Sequence, residues 1–136
     1  MKRPKISTLR NKLDTVFSRF IRLRDADHRG MVTCCTCSKP MHWKDAQCGH
    51  FQVRTYYKTR WDELNCHTQC PQCNMNDGEQ FKHAQYIDGR YGGDTAEYLY
   101  QQARSGPLKL THSEYLELIK IYSDKVQALS GLSTNL

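Results

Sequence analysis

Two Cys-x-x-Cys pairs stand far apart in the sequence, Cys34 with Cys37 and Cys70 with Cys73. At this spacing both sulfur atoms of a pair can reach one metal ion, at about 2.3 Å for zinc. Two pairs complete a tetrahedral set of four thiolates. We therefore predict one structural zinc ion at these cysteines. Such a site has no open coordination position, so a catalytic metal must lie elsewhere.

The segment that begins between the two pairs contains the residue types that phosphodiester hydrolysis requires. A histidine can activate water as a general base, and an amide side chain can orient it or bind a cation through oxygen. His50 lies between the pairs, Asn65 precedes the second pair, and Asn74 follows it directly. The alternative is structural, with a satisfied hairpin histidine and asparagines that cap turns. Together with the cysteine pairs, these three residues favour a nuclease over a plain zinc finger.

Basic residues outnumber acidic ones in this chain of 136 residues, 20 against 14, which gives a formal net charge of +6. Such a surplus suits a polyanionic partner, although a merely soluble basic surface is the alternative. The predicted phosphate contacts are Arg54, Lys58 and Arg60 in the segment between the cysteine pairs, and Arg19 and Arg22 in the first helix.

The remaining cysteines, Cys35, Cys48 and Cys66, are expected to be reduced and partly buried. An odd total of seven cysteines and the metal-type spacing disfavour a secreted disulfide framework. We see no signal-peptide pattern and no apolar run near the ~18 residues of a membrane span. We therefore expect a cytoplasmic protein without a membrane partner.

The apolar pattern predicts one α+β domain in which helices flank a zinc core. Apolar residues at helical spacing form one stripe in the first helix and another in the last. Capping boxes at 94–97 and 111–114 predict the starts of later helices. The predicted segments of the domain, residues 1–136, are an N-terminal helix at 7–25, the zinc core at 31–78, a helical C-terminal part at 79–129 and a flexible tail at 130–136.

The zinc core is expected to contain a hairpin between residues 41–43 and 47–51. Residues 52–64 show no clear period and predict a long loop, which in a compact domain is usually functional. The second cysteine pair is expected to open a short helix. The turn of the first cysteine pair (a zinc knuckle), the hairpin and the short helix around one zinc ion make a treble-clef arrangement.

The combined motif resembles that of the phage recombination proteins called NinG or Rap, which are zinc-containing HNH, or His-Me finger, endonucleases. It reads Gly49-His50-Phe51-x-x-Arg54, followed by Arg60-Trp61-Asp62-Glu63-x-Asn65-x-His67-x-Gln69-Cys70-x-x-Cys73-Asn74. The resemblance extends over roughly residues 9–128. It implies an HNH (ββα-metal) core and cleavage of branched DNA such as Holliday junctions and D-loops.

The resemblance also implies residue roles: His50 as the general base, Asn65 as the central asparagine and Asn74 at the third, metal-side position. Many HNH enzymes carry an acidic metal ligand directly before the base, where this chain has Gly49. A catalytic Mg²⁺ or Mn²⁺ ion needs oxygen and nitrogen ligands. Besides Asn74, the nearby candidates are His67, Asp62, Glu63 and Asp77.

A homodimer is expected, since two symmetric cuts in a four-way junction need two sites and one chain holds one. The two apolar helical stripes could form its interface; alternatively, they pack on each other within one chain.

Two other functions stay open. A non-catalytic zinc module that binds DNA or RNA explains the charge and the cysteines but not the histidine and asparagines. An HNH nuclease of another specificity explains the charge and the cysteines as well as the histidine and the asparagines.

Overall fold

The computed structural model describes residues 2–134 and the side chains of residues 2–131. Its helices are α1 (Ile6–Arg24), α2 (Tyr57–Arg60), α3 (Pro71–Met75), α4 (Gln80–Tyr91), α5 (Thr95–Ala103) and α6 (His112–Thr134). Its strands are β1 (Met31–Thr33), β2 (Pro40–His42), β3 (Gln47–His50) and β4 (Cys66–Gln69). The predicted α+β class is therefore confirmed. No helix within residues 2–134 is both long enough and apolar enough to cross a membrane.

The strands form two separate antiparallel pairs, β1 with β2 and β3 with β4. The predicted hairpin between 41–43 and 47–51 is therefore wrong. A tight turn closes β1 onto β2, because the Cys34 N–H donates to the Lys39 carbonyl and the Ser38 N–H donates to the Cys34 carbonyl. A short 3-10 turn then leads the chain from β2 into β3. The partner strand β4 is buried at every position, so it lacks the alternation that identifies a strand from sequence.

Helices α1 and α6 pack along each other and enclose the largest core. The Phe17 and Tyr122 rings meet edge to face, with centroids 4.9 Å apart, and Phe20 lies 5.2 Å from Tyr122. The buried members of this core are Leu9, Leu13, Phe17, Phe20, Ile21, Cys66, Tyr115 and Tyr122. The two apolar stripes thus cover each other within one chain, which was the alternative to a dimer interface at these faces.

Two smaller apolar clusters hold the remaining elements. One surrounds the cysteine pairs and consists of Val32, Cys34, Met41, Ala46 and Cys70. The other joins α4 and α5 to the end of β3 and consists of Phe51, Ile87, Ala96 and Leu99. Clusters of this size supply little stability alone, which is the situation in which small folds use a structural metal.

The later helix starts agree with the predicted capping boxes only in part. At α6, the Glu114 N–H donates to Thr111 Oγ1 and the Thr111 N–H donates to Glu114 Oε1, as predicted. At α5, Asp94 makes no side-chain cap, and Asp88 Oδ1 instead accepts from the Ala96 N–H. Helix α6 continues to Thr134. Of the segment predicted as a flexible tail, residues 135 and 136 lie outside the described residues.

We expect Leu13→Ala to lower the free energy of unfolding by about 2–5 kcal/mol, since Leu13 has no exposed surface and lies between α1 and α6. Urea denaturation measures the change. Because the contact lies within one chain, the loss should not depend on protein concentration. Leu116→Ala is the matched control; Leu116 is 52% exposed on α6, so its substitution should change stability by less than about 0.5 kcal/mol. A concentration-dependent loss would instead place Leu13 at an interface between chains.

Candidate functional site

The two cysteine pairs come together as the sequence predicts. Cys34 and Cys37 belong to the turn that follows β1, while Cys70 and Cys73 lie at the start of α3. All four sulfur atoms lie within 4.8 Å of one another, and Cys37 Sγ is 3.7 Å from Cys70 Sγ. Sulfur atoms that share a tetrahedral zinc ion are about 3.8 Å apart when each bond is about 2.3 Å. The cluster therefore fits a structural zinc ion.

At one of the four cysteines, Cys34, hydrogen bonds favour the thiolate form that binds zinc. Burial raises the pKa of the Cys34 thiol, but hydrogen bonds from Thr36 and from nearby backbone groups outweigh it and lower the pKa to about 6. The Cys73 N–H also donates to Cys70 Sγ at 3.4 Å. Cys35 lies outside this group of four sulfur atoms, and burial raises the pKa of its thiol well above the usual range.

A cleft of about 910 Å³ lies between α1, β3 and the segment that follows the second cysteine pair. Five residues selected from the sequence line it: His50, Asn74, Asp77, Arg22 and Arg54. Cys70 caps helix α3, which contains Cys73 and Asn74. A metal ion at the cysteines would therefore also hold Asn74 in place at the cleft.

His50 is the last residue of β3, and its ring is held by a backbone carbonyl. Its Nε2 lies 2.9 Å from the Arg60 carbonyl oxygen. A carbonyl oxygen only accepts hydrogen bonds, so Nε2 carries the proton and donates it, which leaves a lone pair on Nδ1. Burial lowers the pKa of His50 to about 4, and the charges of Arg54 and Arg60 contribute. The ring is therefore neutral at pH 7 and can take up a proton at Nδ1.

Asn65 fixes the backbone on both sides of the hydrogen bond between His50 and the Arg60 carbonyl. It is fully buried; its Nδ2 donates to the Gln52 and Thr59 carbonyls, and its Oδ1 accepts from the Gln52 N–H. These bonds join the segment that follows His50 to the residue that precedes Arg60. The central asparagine thus positions the histidine through the backbone and does not face the cleft.

Arg60 is buried instead of exposed to a phosphate, so the geometry removes it from the predicted DNA contacts. Only 7% of its surface is exposed. Its Nε and Nη2 donate to the two carboxylate oxygens of Asp14, and its Nη1 donates to the Arg54 carbonyl. Burial raises the pKa of Asp14, but hydrogen bonding and charge from Arg60 outweigh it, so the net pKa is lowered. No motif or periodicity in the sequence singles out Asp14, although it is the only acidic residue of α1.

Asn74 and Asp77 present oxygen atoms to the cleft. Asn74 Nδ2 donates to Gln47 Oε1 at 2.8 Å, which leaves the Asn74 amide oxygen for other contacts. Asp77 is exposed and makes no ion pair with the described residues. Its φ is 52° and that of Glu79 is 50°, which is left-handed backbone that non-glycine residues rarely adopt. Backbone of this kind concentrates at functional sites.

The other three candidates for the catalytic metal lie outside the cleft. His67 is buried, with its Nδ1 3.0 Å from His83 Nε2 and its Nε2 2.9 Å from the Tyr91 hydroxyl. Asp62 Oδ1 accepts from the Leu64 N–H and thereby shapes a turn. Glu63 accepts hydrogen bonds from the side chains of Tyr122 and Lys125. Each side chain is engaged by its own neighbours, so we remove all three from the ligand set.

Gly49 explains why no acidic residue precedes His50. A Cβ atom at this position would overlap the side chain of Gln69. That amide is buried and anchored, since its Nε2 donates to Thr36 Oγ1 at 3.1 Å and to the Gly78 carbonyl at 2.8 Å. Position 49 therefore cannot supply a carboxylate without displacing the link between the cysteine turn and the backbone beside Asp77.

The other predicted phosphate contacts differ in position. Arg54 is 57% exposed at the cleft, where it pairs with Asp14 at 2.9 Å. Arg22 lines the cleft, and its Nη1 donates to the Trp43 carbonyl. Arg19 lies on the exposed surface of α1. Lys58 lies outside the residues that line the cleft and donates to the Ser105 hydroxyl.

The fold and the site define a small α+β protein in which a four-cysteine cluster suited to zinc adjoins a cleft with a neutral histidine. A family model described as the bacteriophage lambda NinG protein matches residues 2–131. The chain therefore belongs to the NinG family. No curated protein and no solved structure gives a significant match.

Cys70→Ser should lose zinc and cooperative folding, because three thiolates no longer complete the site and zinc binding is coupled to folding. Elemental analysis after dialysis against a weak chelator, together with thermal unfolding followed by circular dichroism, measures both effects. Cys35→Ser is the matched control and should keep zinc and a sharp transition. A Cys70→Ser protein that retains zinc and unfolds like the parent would rule out the four-cysteine site.

Stability should fall as the pH drops from about 6.5 toward 4, because the buried histidines resist protonation. Burial lowers the pKa of His83 to about 4 and, together with the charge of His83, lowers that of His67 to about 2. Below about 6.5 the unfolded chain binds protons that the folded chain does not, which costs about 1.4 kcal/mol per pH unit for each histidine. We expect His83→Phe to remove about one histidine's share of this slope in urea denaturation between pH 6.5 and 4.5. Equal slopes for variant and parent would contradict this.

Proposed function

We propose that this protein is a divalent-metal-dependent DNA endonuclease with an HNH (ββα-metal) core that cuts branched DNA. The observation that carries the proposal is the state of His50. Its Nε2–H is held by the Arg60 carbonyl, and its Nδ1 is unprotonated in a cleft that Asn74 and Asp77 also line. Strands β3 and β4 and helix α3 have the order and the antiparallel pairing of a ββα unit.

In this proposal His50 Nδ1 takes a proton from a water molecule, whose oxygen attacks the phosphorus of the scissile phosphodiester. The bond from phosphorus to the leaving oxygen breaks, and that oxygen takes a proton from solvent. The lowered pKa of His50 keeps Nδ1 free to act as base at neutral pH. Asn65 acts on His50 indirectly, because it fixes the loop whose Arg60 carbonyl orients the His50 ring.

The residues of the cleft fit a hard divalent cation such as Mg²⁺ or Mn²⁺, which prefers oxygen ligands. The Asn74 amide oxygen and the Asp77 carboxylate would hold it. When bound, such an ion stabilises negative charge on the scissile phosphate and on the leaving oxygen. The four-cysteine cluster cannot take this role, since four thiolates leave no open position.

DNA would bind across the cleft through the basic side chains at its edge. Arg54, Arg22 and Arg19 supply positive charge that can contact phosphates without reading base sequence. Two large apolar side chains are exposed, Met75 at 81% and Phe81 at 77%, and they follow directly in the chain after the cleft residues Asn74 and Gln80. Apolar side chains of this kind stack on or wedge between bases where a duplex is interrupted. We therefore favour branched substrates, such as Holliday junctions and D-loops in the host cytoplasm.

We further propose that the active form is a homodimer, because a four-way junction needs two symmetric cuts. The face between α1 and α6 is already covered within one chain, so the contact must use another surface. Light scattering with and without junction DNA measures the mass. A mass near 15.9 kDa in both conditions, with unpaired nicks, would exclude the dimer.

His50→Ala should lose cleavage of a labelled four-way junction by about 10²–10⁴-fold, which is the usual cost of removing a general base. Binding of the junction should change little, since affinity comes mainly from phosphate contacts elsewhere. His28→Ala is the matched control, because His28 is exposed and does not line the cleft, and it should cut like the parent.

The assay compares Mg²⁺, Mn²⁺ and a chelator on junction, flap, duplex and single-stranded DNA. Cleavage by His50→Ala within twofold of the parent would reject the proposed base. A parent protein that binds the junction but cuts no DNA with either metal would support the non-catalytic binding module instead.

A further inference from the structure

A second group of metal-ligating side chains, separate from the four-cysteine cluster, lies on strands β3 and β4. In the antiparallel pairing of β3 with β4, His50 is opposite Cys66 and Cys48 is opposite Thr68. Residues two apart on a strand share a face with their cross-strand partners. Cys48, His50 and Cys66 therefore project to one face, and their ligand atoms all lie within 4.8 Å of one another.

These three side chains offer the ligands that soft metal ions prefer. Two thiolates and one imidazole are a known zinc set, with a fourth position left for water or another ligand. Sulfur atoms on one zinc ion are about 3.8 Å apart, so the ligand atoms need to move closer together by at most about 1 Å. This donor set is unlike that of Asn74 and Asp77, whose oxygen atoms suit a hard cation.

A cation can reach this group from the cleft. Cys48 and His50 are partly exposed and line the cleft, whereas Cys66 is fully buried beneath them. Burial and the neighbouring Cys48 raise the pKa of the Cys66 thiol. Binding of a metal would therefore release protons from the thiols, as at other thiolate sites.

We infer that Cys48, His50 and Cys66 form a second, weaker site for a thiophilic cation such as Zn²⁺. When this site is filled, the cation inhibits catalysis in the cleft. The site itself rests on the positions of three side chains. Its inhibitory effect rests on the proposed function of His50. A metal on Nδ1 occupies the lone pair that the base requires. A metal on Nε2 displaces the proton held there, so that the neutral ring carries its proton on Nδ1 and the hydrogen bond to the Arg60 carbonyl is lost. Either contact prevents His50 from accepting a proton from water.

The competing explanation is that Cys66 and Cys48 are small side chains that fill space. Cys66 belongs to the apolar core of α1 and α6, where a cysteine behaves as a small hydrophobic residue. In that case cysteine-to-serine or cysteine-to-alanine changes would alter stability but not the number of metal ions bound. Metal stoichiometry therefore separates the two explanations without reference to activity.

The test begins with the full chain carrying one zinc ion at the four-cysteine cluster, kept under a phosphine reductant. Titration with ZnCl₂ by equilibrium dialysis and elemental analysis should reveal a second zinc ion per chain, bound more weakly than the first. Cys48→Ser and Cys66→Ala should each bind one, while the matched control Cys35→Ser should still bind two. Cys48 is partly exposed, so Cys48→Ser decides the outcome even where Cys66→Ala fails to fold. A parent that saturates at one zinc ion, or a Cys48→Ser protein that binds two, would overturn the site.

A second arm measures junction cleavage in Mg²⁺ with and without added Zn²⁺, each variant compared with its own zinc-free rate. Filling the site should slow the parent and Cys35→Ser by about 10²–10⁴-fold, as expected for loss of a general base. Cys48→Ser should keep most of its rate. Equal inhibition of Cys48→Ser and the parent would overturn the switch. A parent that binds a second zinc ion but cuts no DNA supports the site and rejects the proposed nuclease function.

Discussion

The buried amide of Asn65 is the contact on which the geometry of the cleft depends. Its three hydrogen bonds hold the backbone at Gln52, just after His50, against the backbone at Thr59, just before Arg60. Without this amide, an N–H and two carbonyls would lose their partner, at about 1–3 kcal/mol for each group left buried and unsatisfied. The Arg60 carbonyl would then no longer be fixed relative to the His50 ring. An asparagine that never faces the cleft thus decides which ring nitrogen can accept a proton.

Two further contacts support the cleft. The lone carboxylate of α1, Asp14, binds the Arg60 side chain through both of its oxygen atoms, so α1 positions the residue whose carbonyl holds His50. On the other side, Gln69 connects the turn of the first cysteine pair to the backbone beside Asp77. The four-cysteine cluster, α1 and the Asn65 contact therefore hold one small cleft from three directions. This explains how a chain with small apolar clusters can keep polar groups in fixed positions.

The sequence predicts those parts of the fold that depend on local spacing. The four-cysteine set, the extent of α1 to within one residue at each end, and the capping box at Thr111 follow from ligand spacing, apolar periodicity and capping chemistry. The pairing of β3 with β4 could not be predicted, because β4 is uniformly buried and its partner lies beyond a long loop. The burial of Arg60 and His67 could likewise not be predicted from the sequence, since Asp14 and His83 contact them only in the folded chain. Residues adjacent in the motif therefore separate into those that face the cleft, such as Asn74, and those that support it.

The roles assigned to the cleft depend on one state of His50, a neutral ring with its proton on Nε2 and a free Nδ1. Long-range ¹H–¹⁵N correlation spectra of the histidine rings, recorded across pH and assigned with His50→Ala, test this directly. We expect the Nε2-protonated form of His50 at neutral pH and a pKa of about 4. A His50 ring protonated on Nδ1 at neutral pH, or one that titrates near the ordinary value of about 6.5, would contradict it.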